Sequence, residues 1–141
     1  MRRLKVFLKL LTLAAIGGAA YYDIEVLWRG YSHFTMGILG GSCFVSVGLL
    51  NEVLPWDLGL LWQALIGGGI VTCLEFVTGL IVNIWLGMGV WDYSGLPFNI
   101  LGQVCLPFYF AWCALSVAAI LLDDYLRYKF FGEEKPHYKI I

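Results

Sequence analysis

The segment EFVTGLIVNIWLGMGVWDYSGLPFN, residues 75–99, places one carboxylate inside a long apolar run and ends in a cluster of turn-forming residues. The apolar run covers residues 58–90, which as a single helix would measure about 50 Å, against roughly 30 Å for the hydrocarbon core of a bilayer. Either one tilted helix projects from the membrane, or the helix ends near Asn83 and residues 84–91 lie at the interface. Tryptophan concentrates at membrane interfaces, so the second interpretation is favoured by the order Trp85, Gly87, Gly89, Trp91.

The composition is that of an integral membrane protein. The chain is 60% hydrophobic and only 13% charged, with a mean hydropathy of +0.79, whereas a soluble domain carries about 25% charged residues. Runs of about 20 apolar residues predict membrane-spanning helices. We predict a single transmembrane domain over residues 1–141, a compact all-α four-helix bundle with spans at about 4–22, 34–54, 58–83 and 100–122, and outer loops at 23–33 and 84–99.

The positive charges predict the orientation of the bundle. Every Lys and Arg except Arg29 lies near one of the two ends of the sequence, and Lys and Arg mark the cytoplasmic side of a membrane protein. An even number of spans also puts both termini on one side, so we expect a multi-pass protein of the cell membrane with both termini cytoplasmic. An alternative is that the first 20 residues are a secretory signal whose cleavage would leave three spans. The aromatic and charged residues 21–30 favour a retained helix.

Glu75 lies near the middle of the apolar run 58–90. A charged side chain in the hydrocarbon costs at least about 2.5–3.5 kcal/mol, so it usually faces a partner or a cavity. Thr72, Glu75, Gly79 and Asn83 share one helix face, spaced by three or four residues, and we expect this face to point into the bundle. Two interpretations stay open: a structural carboxylate that fixes helix packing, or a site for a ligand, an ion or a proton.

The first outer loop carries a possible ion pair. Glu25 and Arg29 are four residues apart, so on a helix they can pair with each other. Arg29 is also a candidate partner for Glu75 or Asp92 if its loop folds into the bundle. His33 is expected to be a hydrogen-bonded structural residue.

The second outer loop leads into the fourth predicted span. Asn99 is a plausible helix cap, and Gln103 would then lie one turn inside the helix on the same face. Pro107 would fall in mid-span and free a backbone carbonyl, which membranes tolerate only where protein or water satisfies it. This pattern predicts a polar interior between the third and fourth helices.

The opposite side of the bundle is predicted to be simpler. Glu52 and Pro55 indicate a turn after the second span, and Asp57 is placed to cap the third helix. The charged residues after the last span are expected to form a solvated face. The cysteines lie in apolar runs without metal-ligand spacing, which predicts small buried hydrophobic residues and neither a disulfide nor a metal site: Cys43, Cys73, Cys105 and Cys113.

Common chemical motifs are missing from this sequence. It contains no phosphate-binding GxxxxGK[ST] loop, no HExxH zinc helix, no GxSxG nucleophile elbow and no basic patch with interleaved aromatic residues. We therefore expect no cofactor, no metal, no direct nucleotide binding and no nucleic-acid partner, and we lean against an enzyme.

Three segments resemble a known family. RGYSHFTMGILGG (29–41), EFVTG (75–79) and WDYSGLPFNILGQVCLPFYFAWC (91–113) resemble the putative ABC-transporter type IV family and the related transmembrane protein 229 proteins. The resemblance covers about residues 22–125 and implies a role in transport. Four spans are few for a permease, so a solute path would need a homo-oligomer or another membrane subunit. The residues that match the family pattern are Glu25, Arg29, Glu75, Gly79, Asn83, Trp91, Asp92, Tyr93, Asn99, Gly102 and Gln103.

Three functions follow as hypotheses. The first is a protein that binds or transports a small solute, ion or lipid at a polar core of Glu75, Asn83 and Gln103, gated by Arg29, Asp92 and Tyr93. The second is an accessory or structural subunit of a larger membrane complex. The third is an intramembrane enzyme in which Glu75 and Asp92 act as acid and base.

Overall fold

The computed structural model describes residues 1–54 and 58–140, so the predicted turn and cap at Pro55 and Asp57 lie outside the described residues. Within these ranges the chain is helical apart from its loops and one isolated bridge between Ile100 and Val104. The helices are α1 (Arg2–Arg29), α2 (Phe34–Gly48), the short α3 (Leu50–Val53), α4 (Leu60–Gly79) with its π-helical continuation Leu80–Trp85, and α5 (Leu106–Phe131).

Small residues bring α1 and α2 into close contact. A methyl group on Gly18 would come within 2.5 Å of the backbone oxygen of Gly37, and one on Gly41 would come within 2.6 Å of the oxygen of Ala14. The two backbones therefore touch, as small residues allow in membrane helices. The pair buries Leu13 and Phe44 between its members.

Helix α2 also packs against the second half of the chain. Its residue Val47 forms a buried cluster with Leu50 of α3 and Ile120 of α5. Helices α4 and α5 approach each other through Gly68, where an added methyl group would collide with the Cys113 thiol. The result is a bundle in which α2 touches α1, α4 and α5.

The predicted all-α bundle of four helices is confirmed. Three of its helices, α1, α4 with its π-helical continuation, and α5, are long and apolar enough to cross a membrane. Helix α2 is shorter, with 15 residues, so it would reach about 22 Å.

The helix of the third predicted span ends two residues after Asn83, while the interfacial position of residues 84–91 stays a prediction. After Gly79 the helix widens into a π-helix, in which Leu86 N–H donates to the oxygen of Ile81 at 2.9 Å, and it stops at Trp85. Residues 86–89 then form a loop rather than a projecting helix.

The start of the fourth helix differs from the prediction. Helix α5 begins at Leu106, and its first turn contains Pro107, where the missing N–H would have no helical partner anyway. The predicted mid-span kink at Pro107 is therefore wrong, as is the predicted cap by Asn99. The reason is tertiary, because residues 99–104 are tied into a loop by hydrogen bonds that are described below.

Both termini lie at the same end of the bundle, which we call the terminal end. Lys9 of α1 forms an ion pair with Glu133, just after α5, at 2.8 Å. The C-terminal tail then folds back, and the oxygens of Lys139 and Ile140 accept hydrogen bonds from the N–H groups of Leu60 and Leu61, at 2.6 and 3.0 Å. The opposite end carries the 86–105 loop, and we call it the loop end.

Candidate functional site

Asn83 organises the loop end. Its Nδ2 donates to Gln103 Oε1 at 2.8 Å, and its Oδ1 accepts from the backbone N–H of Val90 at 2.7 Å. The π-helical turn carries this side chain at the end of α4, so the asparagine reaches both the first segment of the loop, at Val90, and the second, at Gln103. Both polar atoms of the predicted core residue are thus used to hold the loop.

Trp91 and Gln103 complete the same anchor. The buried Trp91 ring donates its Nε1–H to the backbone oxygen of Gln103 at 3.0 Å. Gln103 is buried as well, and its Nε2 donates to the oxygen of Leu101 at 2.9 Å. Gly79 makes room for this packing, since an added methyl group would come within 2.5 Å of Gln103 Oε1.

Asn99 and Asp92 shape the outer turns of the loop. Asn99 donates to the oxygen of Leu96 at 2.9 Å and accepts from Gly102 N–H at 3.1 Å. Asp92 is exposed, and its Oδ1 accepts from Ser94 N–H at 2.9 Å. The backbone and side chain of Ser94 stabilise the charged form, which lowers the pKa of Asp92.

Two residues of this loop have left-handed backbones that are unusual for their type. Phe98 has φ 53° and Leu101 has φ 54°, and such conformations cost about 1–2 kcal/mol for a residue with a side chain. Hydrogen bonds of the loop offset that cost. Gly102, at φ 71°, follows in a turn where an added methyl group would lie 2.8 Å from Asp92 Oδ1. The loop therefore has one defined conformation, which its side-chain hydrogen bonds stabilise.

Glu75 belongs to a different environment, deeper in the bundle. The residue is only 3% exposed. The Tyr93 hydroxyl and the Trp112 indole N–H are directed at its carboxyl group, yet its Oε1 has no hydrogen-bond partner among the described residues. Within residues 1–54 and 58–140 no ion pair includes Glu75.

Aromatic rings surround this carboxyl group. Tyr93 stacks on Phe108 with ring centres 4.7 Å apart. Phe108 in turn lies 5.8 Å from Trp112, and Trp112 lies 6.1 Å from Tyr21. Burial and the neighbouring charge of Glu75 raise the pKa of Tyr93 in the loop, so its hydroxyl stays a neutral donor. We call Tyr21, Tyr93, Phe108 and Trp112 the aromatic wall.

A cavity of about 150 Å³ opens beside Glu75, between α1, α2, α4 and α5. Tyr21, Glu75 and Trp112 line it together with Ser116, whose buried hydroxyl also has no hydrogen-bond partner. The rest of the lining is almost wholly apolar and includes Leu39, Phe44, Val47, Leu115 and Leu122. A mostly apolar pocket with a few polar groups is typical of a small-molecule site.

Arg29 does not reach Glu75 or Asp92, so its predicted role as their partner is wrong. It pairs instead with Glu25 at 2.6 Å on the last turn of α1, which is the i,i+4 alternative. Its guanidinium also lies 4.8 Å from the centre of the Tyr31 ring. Glu25 accepts a second hydrogen bond from the Tyr21 hydroxyl at 3.1 Å. Among the residues that the structure describes, the one Lys or Arg near the loop end is thereby engaged by a carboxylate on its own helix.

The predicted polar core is therefore divided into two groups. Glu75 lines the cavity and is faced by the Tyr93 hydroxyl, whereas Asn83 and Gln103 bond to each other and to the loop backbone. Asp92 does not line the cavity, so the structure does not bring it together with Glu75 as an acid/base pair. The local role predicted for His33 is confirmed, because its ring accepts a hydrogen bond from Thr35 N–H at the start of α2.

A buried charged cluster at the terminal end was not predicted from the sequence. Asp123, Asp124 and Arg127 are at most 4% exposed. Arg127 Nε binds Asp123 Oδ2 at 2.8 Å, and its Nη1 lies 3.5 Å from Glu52 and 3.6 Å from Glu133. One signal was available, since Asp123 and Arg127 are four residues apart at the end of an apolar run.

The C-terminal tail contributes to this cluster. The Tyr138 hydroxyl donates to Asp124 Oδ2 at 2.8 Å, and burial together with this bond raises the pKa of Tyr138. The expectation of a solvated tail is thus wrong for Glu133 and Tyr138, which are half-buried. The cysteine prediction is confirmed for Cys43, Cys105 and Cys113, which are buried and free, but it is wrong for Cys73, which faces outward.

Comparison with known proteins shows which family the chain belongs to. A model of the putative ABC-transporter type IV family matches residues 24–140. The chain belongs to that family. Neither a curated protein nor a solved structure shows a significant match to it, and the likeness to the transmembrane protein 229 proteins stays a prediction. In this putative ABC-transporter type IV protein, the motif residues fall into the loop anchored by Asn83, the group around Glu75 and the Glu25–Arg29 ion pair on α1.

Proposed function

We propose that this protein binds a small amphiphilic solute inside the cell membrane, in the cavity beside Glu75, and takes part in moving that solute across the bilayer. The observation that carries the proposal is the buried Glu75 carboxyl group, which lines the cavity and leaves Oε1 without a hydrogen-bond partner. The membership of the chain in a transporter-related family agrees with this role.

The cost of leaving polar atoms unpaired supports a binding role. A buried acceptor without a partner costs about 1–3 kcal/mol, and more when it is charged. Among the described residues, Glu75 Oε1 and Ser116 Oγ have no hydrogen-bond partner, and both residues line the cavity. A solute with a polar head and an apolar body would satisfy these atoms and cover the apolar lining.

The proposed orientation follows from the charges. Because Lys9 and Glu133 pair with each other, the start of α1 and the end of α5 lie on one side of the bundle, and the basic residues near both ends favour a cytoplasmic location for that side. The Glu75 cavity would then lie between the cytoplasmic terminal end and the outward-facing loop end. Cysteine accessibility at each end in intact cells tests this orientation.

Binding can be measured on the full chain in lipid nanodiscs. A panel of amphiphilic amines, alcohols and acids is titrated while tryptophan fluorescence is followed, because Trp112 lies at the cavity. We expect saturable binding that Glu75→Gln weakens by at least about tenfold, which corresponds to about 1.4 kcal/mol. The matched control is Asp92→Asn, which removes an exposed carboxylate outside the cavity and should leave binding unchanged.

Filling the cavity provides a second test that leaves the charge in place. Ala119 lines the cavity, so Ala119→Leu should block the apolar part of the site and abolish saturable binding. Ala118→Ser changes another lining residue with almost no added volume and should keep binding. If wild-type protein gives no saturable signal with any member of the panel, the proposed function is wrong.

A second candidate is an accessory subunit of a larger membrane complex or a homo-oligomer. Large apolar side chains cluster at the loop end of α1 and the start of α2, where Leu27, Trp28 and Phe34 are 86%, 85% and 66% exposed. Such a patch suits lipid or another membrane helix. Crosslinking from Trp28→Cys in native membranes, with Cys73→Ser as the background, would give a defined adduct if a subunit covers it.

A further inference from the structure

We infer that the solute is an organic cation, with an alkylated ammonium head held between Glu75 and the aromatic wall and an apolar body in the cavity. This inference rests on the proposed function and specifies its ligand class. It goes beyond a generic polar site because charge, ring arrangement and lining chemistry each point to the same kind of molecule.

The charge balance is the first argument. Glu75 has no cation beside it among the described residues, because Arg29 is engaged by Glu25 at 2.6 Å and Arg127 by Asp123 at 2.8 Å. Removing one partner from a buried ion pair leaves an uncompensated charge, which is strongly unfavourable. A charged Glu75 therefore calls for a cation that this part of the chain does not supply, whereas an anionic solute would add to the mismatch.

The aromatic wall is the second argument. The Tyr93 hydroxyl and the Trp112 N–H are directed at the carboxyl group. Of the four rings in the wall, those of Tyr21 and Trp112, 6.1 Å apart, belong to residues that line the cavity itself. Aromatic faces attract cations, most strongly when water is excluded, and sets of such rings bind alkylated ammonium groups. A carboxylate within an aromatic surround therefore matches a bulky, weakly hydrated cation.

Metal ions fit this site poorly. Within residues 1–54 and 58–140, no group of three or more His, Cys, Asp or Glu side chains could hold a metal ion. An alkali or alkaline-earth ion needs several oxygens to replace its hydration shell, and the lining offers Glu75, Ser116 and Tyr21 amid apolar side chains. An alkylated ammonium group gives up much less hydration, because its carbon atoms already surround the nitrogen.

The apolar lining is the third argument, since it specifies the rest of the ligand. Besides Glu75 the cavity is lined by Leu39, Val47, Leu115 and Leu122, the last two of them on α5. Each buried CH₂ group of a ligand contributes about 0.8 kcal/mol. A cation with an alkyl or aryl body thus gains from both parts of the cavity.

Two molecules of nearly equal shape test the inference on wild-type protein. Benzyltrimethylammonium and neopentylbenzene differ in having a charged nitrogen or a neutral carbon at the same position, and benzylsulfonate supplies the opposite charge. Binding to the full chain in zwitterionic nanodiscs is measured by equilibrium dialysis, with protein-free nanodiscs as the blank. We expect the cation to bind at least about tenfold tighter than the neutral molecule, and the anion to show no saturable binding.

Variants locate the preference within the site. Glu75→Gln and Trp112→Leu should each reduce the cation-to-neutral affinity ratio to near one. Phe110→Leu is the matched control for the aromatic change, because Phe110 is an outward-facing residue on the same helix, 57% exposed, and it should preserve the ratio.

The outcomes separate this inference from the proposed function. Equal binding of the cation and the neutral molecule to wild-type protein overturns the cation inference and leaves the amphiphile site standing. Preferential binding of benzylsulfonate does the same. Saturable binding of no probe overturns both. Because the comparison of the probes uses wild-type protein, it holds even if a variant fails to fold.

Discussion

Glu75 and Asp123 are both buried carboxylates inside the same bundle, and they differ in what lies beside them. Asp123 is fully buried and binds Arg127 one helical turn away at 2.8 Å. Glu75 is 3% exposed, borders a cavity and has no cationic partner among the described residues. Burial of an acid is therefore an ambiguous signal, and the neighbouring charge decides whether it serves the fold or remains available to a ligand.

The largest expected effect is on the paired side of this comparison. Arg127→Met leaves Asp123 and its acidic neighbours without their shared cation, which should cost about 3–5 kcal/mol of folding free energy. The measurement is unfolding by SDS in mixed micelles. Lys129→Met, an exposed change on the same turn of the helix, is the control and should cost little. A loss below about 1 kcal/mol for Arg127→Met would remove the structural role assigned to this cluster.

The next largest effect is expected at Asn83, a polar residue whose hydrogen bonds hold the loop and which serves as a purely structural reference for the two carboxylates. Asn83→Leu removes the acceptor for Val90 N–H and the donor to Gln103 Oε1, so we expect a loss of about 1–3 kcal/mol. Amide exchange at Val90 and Trp91 should accelerate. Ile84→Ala, on an exposed neighbour, should leave those amides protected; if it speeds their exchange equally, Asn83 is not the specific anchor.

A smaller effect is expected from Asp92 at the surface of the loop. Its pKa is lowered by hydrogen bonds from Ser94, so its contribution to stability is present above the unfolded value of about 3.9 and is lost as the pH falls through the lower folded value. Protection of the Ser94 amide should therefore weaken only in that acidic range. Asp92→Asn should remove this pH dependence, and a wild-type loop that loosened near neutral pH would contradict the assignment.

The smallest expected loss of stability is at Glu75. Because Glu75→Gln breaks no ion pair among the described residues and keeps the shape of the side chain, the free energy of unfolding should fall by no more than about 1 kcal/mol. It should rise where the substitution removes an uncompensated buried charge. The same SDS titration as for Arg127→Met gives a direct comparison. A loss as large as that of Arg127→Met would mean that Glu75 is a structural carboxylate, and the comparison between the two sites would fail.

The sequence predicted the features that depend on local patterns. The four helices, the end of the third span near Asn83 and the burial of Glu75 follow from apolar runs, Trp and Gly positions and the cost of charge in hydrocarbon. The pairing of Glu25 with Arg29 was one of two alternatives, and their spacing of four residues pointed to the one that forms.

Other features depend on contacts that local patterns do not contain. Asn99 and Pro107 resemble a helix start and a kink, but the bond between Asn83 and Gln103 holds residues 99–104 in a loop and delays the helix to Leu106. The buried cluster around Arg127 was missed because charges at the end of a span usually reach water. Here Gly48 leaves space that the Asp123 carboxyl group fills.

The bonds from the C-terminal tail to the start of α4 also affect the order of assembly. The N–H groups of Leu60 and Leu61 donate hydrogen bonds to the backbone oxygens of Lys139 and Ile140. The ribosome adds these two residues only after α5 has been made. During synthesis the third span therefore enters the bilayer before the groups that complete its first turn exist. Closure of the terminal end is a late step, and a chain stalled within α5 would hold an unfinished bundle.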